Sequence, residues 1–305
     1  MRAAVVGEFG PPEVVRIRTD WPVPGSPGPG EVLVEVEAAG LNPSDLKNRA
    51  GGAPPDRLPY VGGREAAGRV VTVGDDIDDL AVGDDVFAFF GWFSRPGGHA
   101  EQVIIPAAMV SRRPPGPVIS LAGVPLAGLT AFQALRVLDP PAGATVAITG
   151  GAGGVGCFAV QLAAAAGLRV LTTASPDNHA FLRGLGAAEA VDYHDPDAPD
   201  AFEGVTHLLD LVGPAVVDAY QDRLAPEARI VSVVAVPDRL RPGLWAEHIR
   251  AEPGSVDLDQ LADRLASGTL RAVVAATFPL DDIVAAHRLL EGGHVRGKLV
   301  IDLRA

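Results

Sequence analysis

The residues with the clearest chemical signature are three glycines, Gly151, Gly153 and Gly156, within ATVAITGGAGGVGCFAVQL at residues 144–162. The apolar residues 146–148 suit a buried strand, and the G-x-G-x-x-G spacing after them suits a strand-to-helix turn that cradles a dinucleotide. In this reading Gly151 lets the chain turn off the strand, Gly153 leaves the backbone open to a pyrophosphate, and Gly156 lets the next helix pack close to the sheet. A helix over residues 155–166, with Gly154 and Val155 at its start, aims its free N–H groups and positive end at the phosphates. A second group is Asn42-Pro43-Ser44-Asp45, a turn into a short helix near Ser44. Its polar groups are held by proline-restricted backbone, and Asn42 and Asp45 are candidate caps of that helix.

Other reactive side chains carry weaker signals. His99, in Gly97-Gly98-His99-Ala100-Glu101, precedes a strand and reads as a surface or hydrogen-bonding histidine. His248, His287 and His294 read as solvated. Cys157, the single cysteine, follows the glycines where a helix dipole can lower a thiol pKa, although a small buried residue is the simpler reading. There is no G-x-S-x-G elbow, and the acidic residues are scattered rather than paired.

The elements that must position these groups fall into two patterns. Over the first 110 or so residues, short strands at 32–36, 68–74 and 85–90 alternate with glycine- and proline-rich turns, as in a compact β-rich domain. Residues 21–30 (WPVPGSPGPG) form a surface connection. From residue 117 the pattern is α/β: a helix at 126–138, the glycine strand and helix, a strand at 169–173, a helix at 178–185 and a strand near Ala190. Strands at 207–212 and 229–234 flank a helix at 215–224. That alternation builds a parallel, doubly wound sheet. Helices at 258–266 and 281–290 and strands at 272–278 and 298–303 follow, and the end strand needs the N-terminal sheet to join. The expected division is 1–116, the first part of the β-rich domain; 117–254, the nucleotide domain; and 255–305, the return segment, with the active site in the cleft between domains. Residues 236–255, including Trp245, carry no clear pattern.

Composition limits the function. At 305 residues the chain can hold two substantial cores, and its net charge of −13 argues against nucleic acid or an anionic membrane as partner. One cysteine excludes an internal disulfide and a cysteine-rich zinc site. The longest apolar stretch, 118–138, is interrupted by Gly123, Pro125 and Arg136 among others, which is wrong for a membrane span. MRAAVV reads as a first strand rather than a leader, so a cytoplasmic protein is expected.

Five stretches carry a resemblance across essentially the whole chain: AAGLNPSDLK at 38–47, PYVGGREAAGRV at 59–70, PLAGLTAFQAL at 125–135, ITGGAGGVGCFAVQLA at 148–163 and GGHVRGKLVI at 292–301. The chain resembles the zinc-independent, quinone oxidoreductase (zeta-crystallin-like) branch of the medium-chain dehydrogenase/reductase superfamily. The resemblance implies a Rossmann domain inserted into a discontinuous GroES-like domain, NADPH as hydride donor, and a homodimer. It places Asn42 and Asp45 near nicotinamide and substrate, and Thr130 at the nicotinamide end. Zinc members carry a cysteine ahead of the aspartate and a Gly-His-Glu; here Ser44 precedes Asp45, the triplet is Gly63-Arg64-Glu65, and a guanidinium cannot ligate zinc. Arg64 then either holds a cofactor phosphate or substrate oxygen, or pairs with Glu65 or Asp45 to fix the turn.

NAD-specific sites usually place an acidic residue at the end of the second nucleotide-domain strand. Here Thr172-Thr173-Ala174-Ser175 stands there, which leaves room for a 2′-phosphate and favours NADPH. Ser175, His179, Arg183 and, by resemblance, Tyr193 are its available partners, while Asp177 would repel it if turned inward. Val212, Val234 and Lys298 complete the expected cofactor contacts. The expected activity is hydride transfer to a quinone or an α,β-unsaturated carbonyl, with Asn42 or backbone N–H groups stabilising the oxygen and a proton drawn from water. Substrate-lining loops are expected at 49–58 and 89–95, where Phe90-Gly91-Trp92-Phe93 either covers a flat substrate or forms a core edge or dimer contact. The alternatives are an enoyl-thioester reductase of the same family, a protein that binds NADPH without turnover, and a zinc alcohol dehydrogenase.

Overall fold

The computed structural model describes residues 1–92 and 97–305, which divide into two compact units. The first comprises Met1–Leu126, Glu252–Gly268 and Ala272–Ala305; the second comprises Ala127–Ala251 and Thr269–Arg271.

In the first unit, β1 (Ala3–Val6) pairs antiparallel with β2 (Val15–Arg18). The long β3 (Glu31–Leu41) leads into α1 (Pro43–Lys47), and β4 (Tyr60–Val61) then pairs with β1. β5 (Glu65–Val73), β6 (Asp85–Phe89), β7 (Gln102–Pro106), β8 (Val110–Arg112) and α2 (Val118–Ala122) follow, and then the first two residues of α3 (Pro125–Leu138), which from Ala127 onward belongs to the second unit. Val32, Val34 and Val36 of β3 alternate into the core with Val70 and Val86. β3 runs five residues beyond the expected strand, because Ala38, Ala39, Gly40 and Leu41 are small or apolar and buried without any alternation to betray them. α2 packs on β3 and β5, so the first unit extends past residue 116 to Leu126.

The second unit holds β9 (Thr145–Ile148), α4 (Gly154–Ala165), β10 (Arg169–Thr173), α5 (His179–Gly184), β11 (Glu189–Val191), β12 (His207–Asp210), α6 (Pro214–Tyr220), β13 (Arg229–Ser232) and β14 (Trp245–His248). All strand pairs are parallel in the order β11-β10-β9-β12-β13-β14. This doubly wound order reverses direction at β9, the switch point beside which open parallel sheets bind ligands, outside the carboxyl ends of the strands. β14 lies in the segment that carries no sequence pattern: its side chains are mostly exposed, and its pairing with β13 defines it.

The tail contributes α7 (Ser255–Ala266), β15 (Val274–Pro279), α8 (Ile283–Glu291) and β16 (Lys298–Asp302). β16 pairs antiparallel with β3, Leu299 opposite Leu41, and β15 pairs with β16. The last strand therefore lies beside the residues that lead into Asn42.

Candidate active site

β3 delivers the chain to Asn42, the N-cap of α1, and Pro43 at the first helical position has the φ that a helix start needs. Asp45 reaches back from the first turn: its Oδ2 accepts the Asn42 backbone N–H at 2.9 Å, and its Oδ1 accepts the Gly63 N–H at 3.2 Å. The Asn42 carboxamide is engaged elsewhere. Its Nδ2 donates to Glu65 Oε1 at 2.8 Å, and its Oδ1 accepts from Lys298 Nζ.

Glu65 is the hub of this cluster. Its Oε1 also accepts from Lys298 Nζ at 2.8 Å, and its Oε2 accepts the Leu126 N–H at 2.7 Å in the first turn of α3. Glu65 is 0% and Lys298 4% exposed, so each ion is held away from water by its opposite. An ammonium has only donors, so Lys298 fixes the Asn42 oxygen toward itself. One Nδ2 hydrogen goes to Glu65, and the second has no partner among the described residues. Gly40 makes the room: a Cβ there would lie 2.1 Å from Glu65 Oε1.

Arg64 points its Nη1 at two carbonyls, Gly91 at 2.9 Å and Trp92 at 2.7 Å, and its guanidinium lies 5.7 Å from the Trp92 ring centroid. Among the described residues it pairs with neither Glu65 nor Asp45, so the ion-pair alternatives do not form. Burial pulls its pKa below the ordinary value, with the Asp45 charge opposing. Phe93 and the rest of the expected loop to Arg95 lie outside the described residues. His99 is 1% exposed, which excludes the surface reading, and its Nε2 lies 3.3 Å from the Gly40 carbonyl. His287 is buried as well, contrary to expectation, because the apolar side of α8 turns it onto the core; His248 and His294 are exposed.

In the second unit the glycine loop joins β9 to α4. The residue with left-handed φ, +67°, is Gly150 rather than Gly151. Gly151 serves close approach instead: a Cβ there would lie 2.1 Å from Thr172 Oγ1. At Gly156 it would lie 2.4 Å from the Gly150 carbonyl, so this glycine seats α4 on its own loop rather than on the sheet. Gly153 is the N-cap and would meet only the Gly150 carbonyl, at 3.4 Å, which leaves the backbone open to a ligand. Thr173 Oγ1 accepts the Gly150 N–H at 3.0 Å and ties the loop to the end of β10. Beyond that strand Ser175 accepts from Asn178, His179 Nε2 lies 3.0 Å from the Ala174 carbonyl, and Asp177 and Arg183 are exposed. Tyr193 is exposed with its ring against His194, Val212 is exposed, Val234 is half-buried, and Thr130 is buried on α3 one turn beyond Leu126. These positions fit a dinucleotide: an open glycine backbone at a helix N-terminus, and a strand end without a carboxylate.

Asp210 escapes a reading of the sequence. At 0% exposure, its Oδ1 accepts from Thr149 Oγ1 at 2.8 Å and from the N–H groups of Val212 and Gly213, each at 3.1 Å, while its Oδ2 accepts from Ser232 Oγ at 2.7 Å. Ser232 Oγ in turn accepts the Val234 and Ala235 N–H groups, so one carboxylate shapes both loops that carry Val212 and Val234. The signal is a lone acid closing the apolar strand HLLD. Asp210→Ala leaves these donors unpaired and is expected to cost roughly 3 kcal/mol, read as a lower denaturant midpoint with unchanged slope.

Residues 28–115 match the alcohol dehydrogenase GroES-like domain, and residues 185–301 match the zinc-binding dehydrogenase family. A zinc centre does not fit the residues here: Arg64 cannot ligate, and no group of three His, Cys, Asp or Glu among the described residues could hold a metal ion. The chain is 31% identical to the chloroplastic NADPH-dependent alkenal/one oxidoreductase of Arabidopsis thaliana, over 99% of this chain and 79% of that protein. It is 30% identical to the trans-enoyl reductase pgmF of Aspergillus terreus, over 90% and 87%. The solved quinone oxidoreductase of Coxiella burnetii superposes with a TM-score of 0.92 at 35% identity, over 100% of this chain and 99% of that one. With its GroES-like and Rossmann-like units and no zinc ligand set among the described residues, this chain is an oxidoreductase belonging to the zinc-independent, quinone oxidoreductase branch of the medium-chain dehydrogenase/reductase superfamily.

Proposed function

We propose that this protein is an NADPH-dependent reductase that passes hydride to a quinone or an α,β-unsaturated ketone or aldehyde without a metal. The observation that carries this reading is the Asn42 carboxamide, locked by Lys298 and Glu65 with one N–H unpartnered among the described residues. Bound NADPH supplies the hydride. As it arrives, negative charge grows on the substrate oxygen, and the free Nδ2–H of Asn42 donates to it in a site already organised to do so. Asp45 keeps the Asn42 backbone in place. Water supplies the proton to the oxygen or the α-carbon. Arg64 anchors the carbonyls of Gly91 and Trp92 and so sets one border of the site.

NADPH over NADH is supported by the strand end Thr172-Thr173-Ala174-Ser175, with Ser175, His179, Arg183 and, by resemblance, Tyr193 as the available partners of a 2′-phosphate. The glycine backbone takes the pyrophosphate. Gly156→Ala pushes a methyl group into the Gly150 carbonyl and is expected to weaken NADPH binding at least about tenfold, measured by quenching of cofactor fluorescence. A homodimer is supported by β14, an edge strand whose main-chain groups and exposed Trp245 need cover. No helix among the described residues is long and apolar enough to cross a membrane. The trans-enoyl reductase relative favours one second reading, reduction of an enoyl thioester.

The test is NADPH and NADH oxidation by metal-stripped protein with a panel of 1,4-quinones and 2-enones. Steady turnover that prefers NADPH supports the reading. Cofactor binding with no turnover on any acceptor overturns it.

A further inference from the structure

Beneath α1, inside the first unit, lies a cavity of about 10 Å³, close to the least space that admits one water molecule. It is lined by the apolar Ala4, Val6 and Val15, by Gly62, and by four residues with polar side chains, Asp45, Tyr60, His99 and His287. The hydroxyl of Tyr60 is buried and has no hydrogen-bond partner among the described residues. Burial and the Asp45 charge push its pKa up to about 12, so it stays an O–H.

The protonation of the two histidines follows from their other contacts. Arg49 Nη1 lies 3.1 Å from His287 Nδ1; a guanidinium only donates, so Nδ1 accepts and Nε2 carries the hydrogen. Burial, His99 and Arg49 hold His287 down to about 3, which keeps it neutral. His99 donates from Nε2 to the Gly40 carbonyl, and burial lowers its pKa, so its Nδ1 is an acceptor. Asp45 spends one lone pair of each oxygen on the Asn42 and Gly63 N–H groups and keeps the rest. The four side chains thus bring two donors, Tyr60 O–H and His287 Nε2–H, and two acceptors, His99 Nδ1 and Asp45. That set complements the two lone pairs and two hydrogens of one water.

The geometry points to a single-water binding site in this cavity, with Tyr60 Oη as its obligatory partner and Asp45 among its acceptors. The bound water links β4 to the carboxylate that holds the Asn42 backbone, and so braces the turn from beneath. This site stands on the geometry of the cavity alone and does not depend on the activity proposed above.

Two measurements test it. A crystal structure of the wild-type protein near 1.5 Å is expected to show one ordered oxygen within hydrogen-bond distance of Tyr60 Oη. Density that leaves the cavity empty overturns the proposal. Tyr60→Phe separates the two cases by sign, because deleting a partner of a bound water destabilises, whereas deleting an orphaned buried hydroxyl does not. The expected result is a Tm lower by about 2 °C or more. An unchanged or raised Tm contradicts a water at this site, and the wild-type density decides even if the variant does not fold.

Discussion

Asn42→Ala is expected to lower kcat about 100-fold or more while changing KM little. The expected loss matches that for removing one preorganised donor from an oxyanion site, which is felt where charge develops and hardly in the ground state. The fold survives the change, because Lys298 Nζ and Glu65 Oε1 remain in direct contact at 2.8 Å without the carboxamide between them. Steady-state kinetics with a 2-enone, set beside a denaturation curve, distinguishes the two roles Asn42 could play. A residue that only shapes the turn would lose stability and keep kcat. Asn42→Asp is the sharper companion, since it keeps the size of the side chain, removes the donor and sets a second carboxylate beside Glu65; its kcat is expected to fall at least as far.

Lys298→Met is expected to be the most destabilising single change in the first unit. Glu65 is 0% exposed, and without the ammonium its charge has hydrogen bonds from Asn42 and Leu126 but no counter-ion. Breaking one side of a fully buried pair costs about 3–5 kcal/mol, mostly the penalty on the charge left behind. Glu65→Gln in the same chain removes that charge, so the double variant is expected to regain most of the lost stability. It is not expected to regain activity, because nothing then holds the Asn42 oxygen in one orientation. Chemical denaturation of both variants, with kcat measured on the double, separates the stability of the pair from its role in aiming Asn42. Full activity in the stable double variant would show that the pair serves only the fold.

The sequence reveals most where a local rule and the global fold agree. The apolar run at 146–148 followed by spaced glycines identifies β9 and α4 to within a residue or so, because strand, turn and helix each leave their own mark there. The division of labour among those glycines is not legible: which one takes positive φ depends on where the chain leaves the sheet, and Gly150 does so rather than Gly151. The turn and the family resemblance mark Asn42 and Asp45, Arg64 stands where zinc relatives carry a histidine, and Lys298 is an expected cofactor contact. What links Asn42 and Lys298 to each other and to the start of α3 is a carboxylate, Glu65, whose importance comes from contacts 23, 61 and 233 residues away in sequence. No spacing rule reaches that far. His287 shows the converse failure: a histidine on an amphipathic helix reads as solvated until the packing of α8 on the first unit buries it.

The most direct test of the central claim is the fate of the hydride. Metal-stripped protein given a 2-enone and NADPH deuterated at both C4 positions, in ordinary water, should yield a saturated ketone carrying one deuterium, located at the β-carbon, with hydrogen from solvent at the α-carbon. The same label should appear far more slowly with Asn42→Ala. A product without deuterium, or turnover that returns only when zinc is restored, would contradict direct metal-free transfer and remove Asn42 from the chemistry.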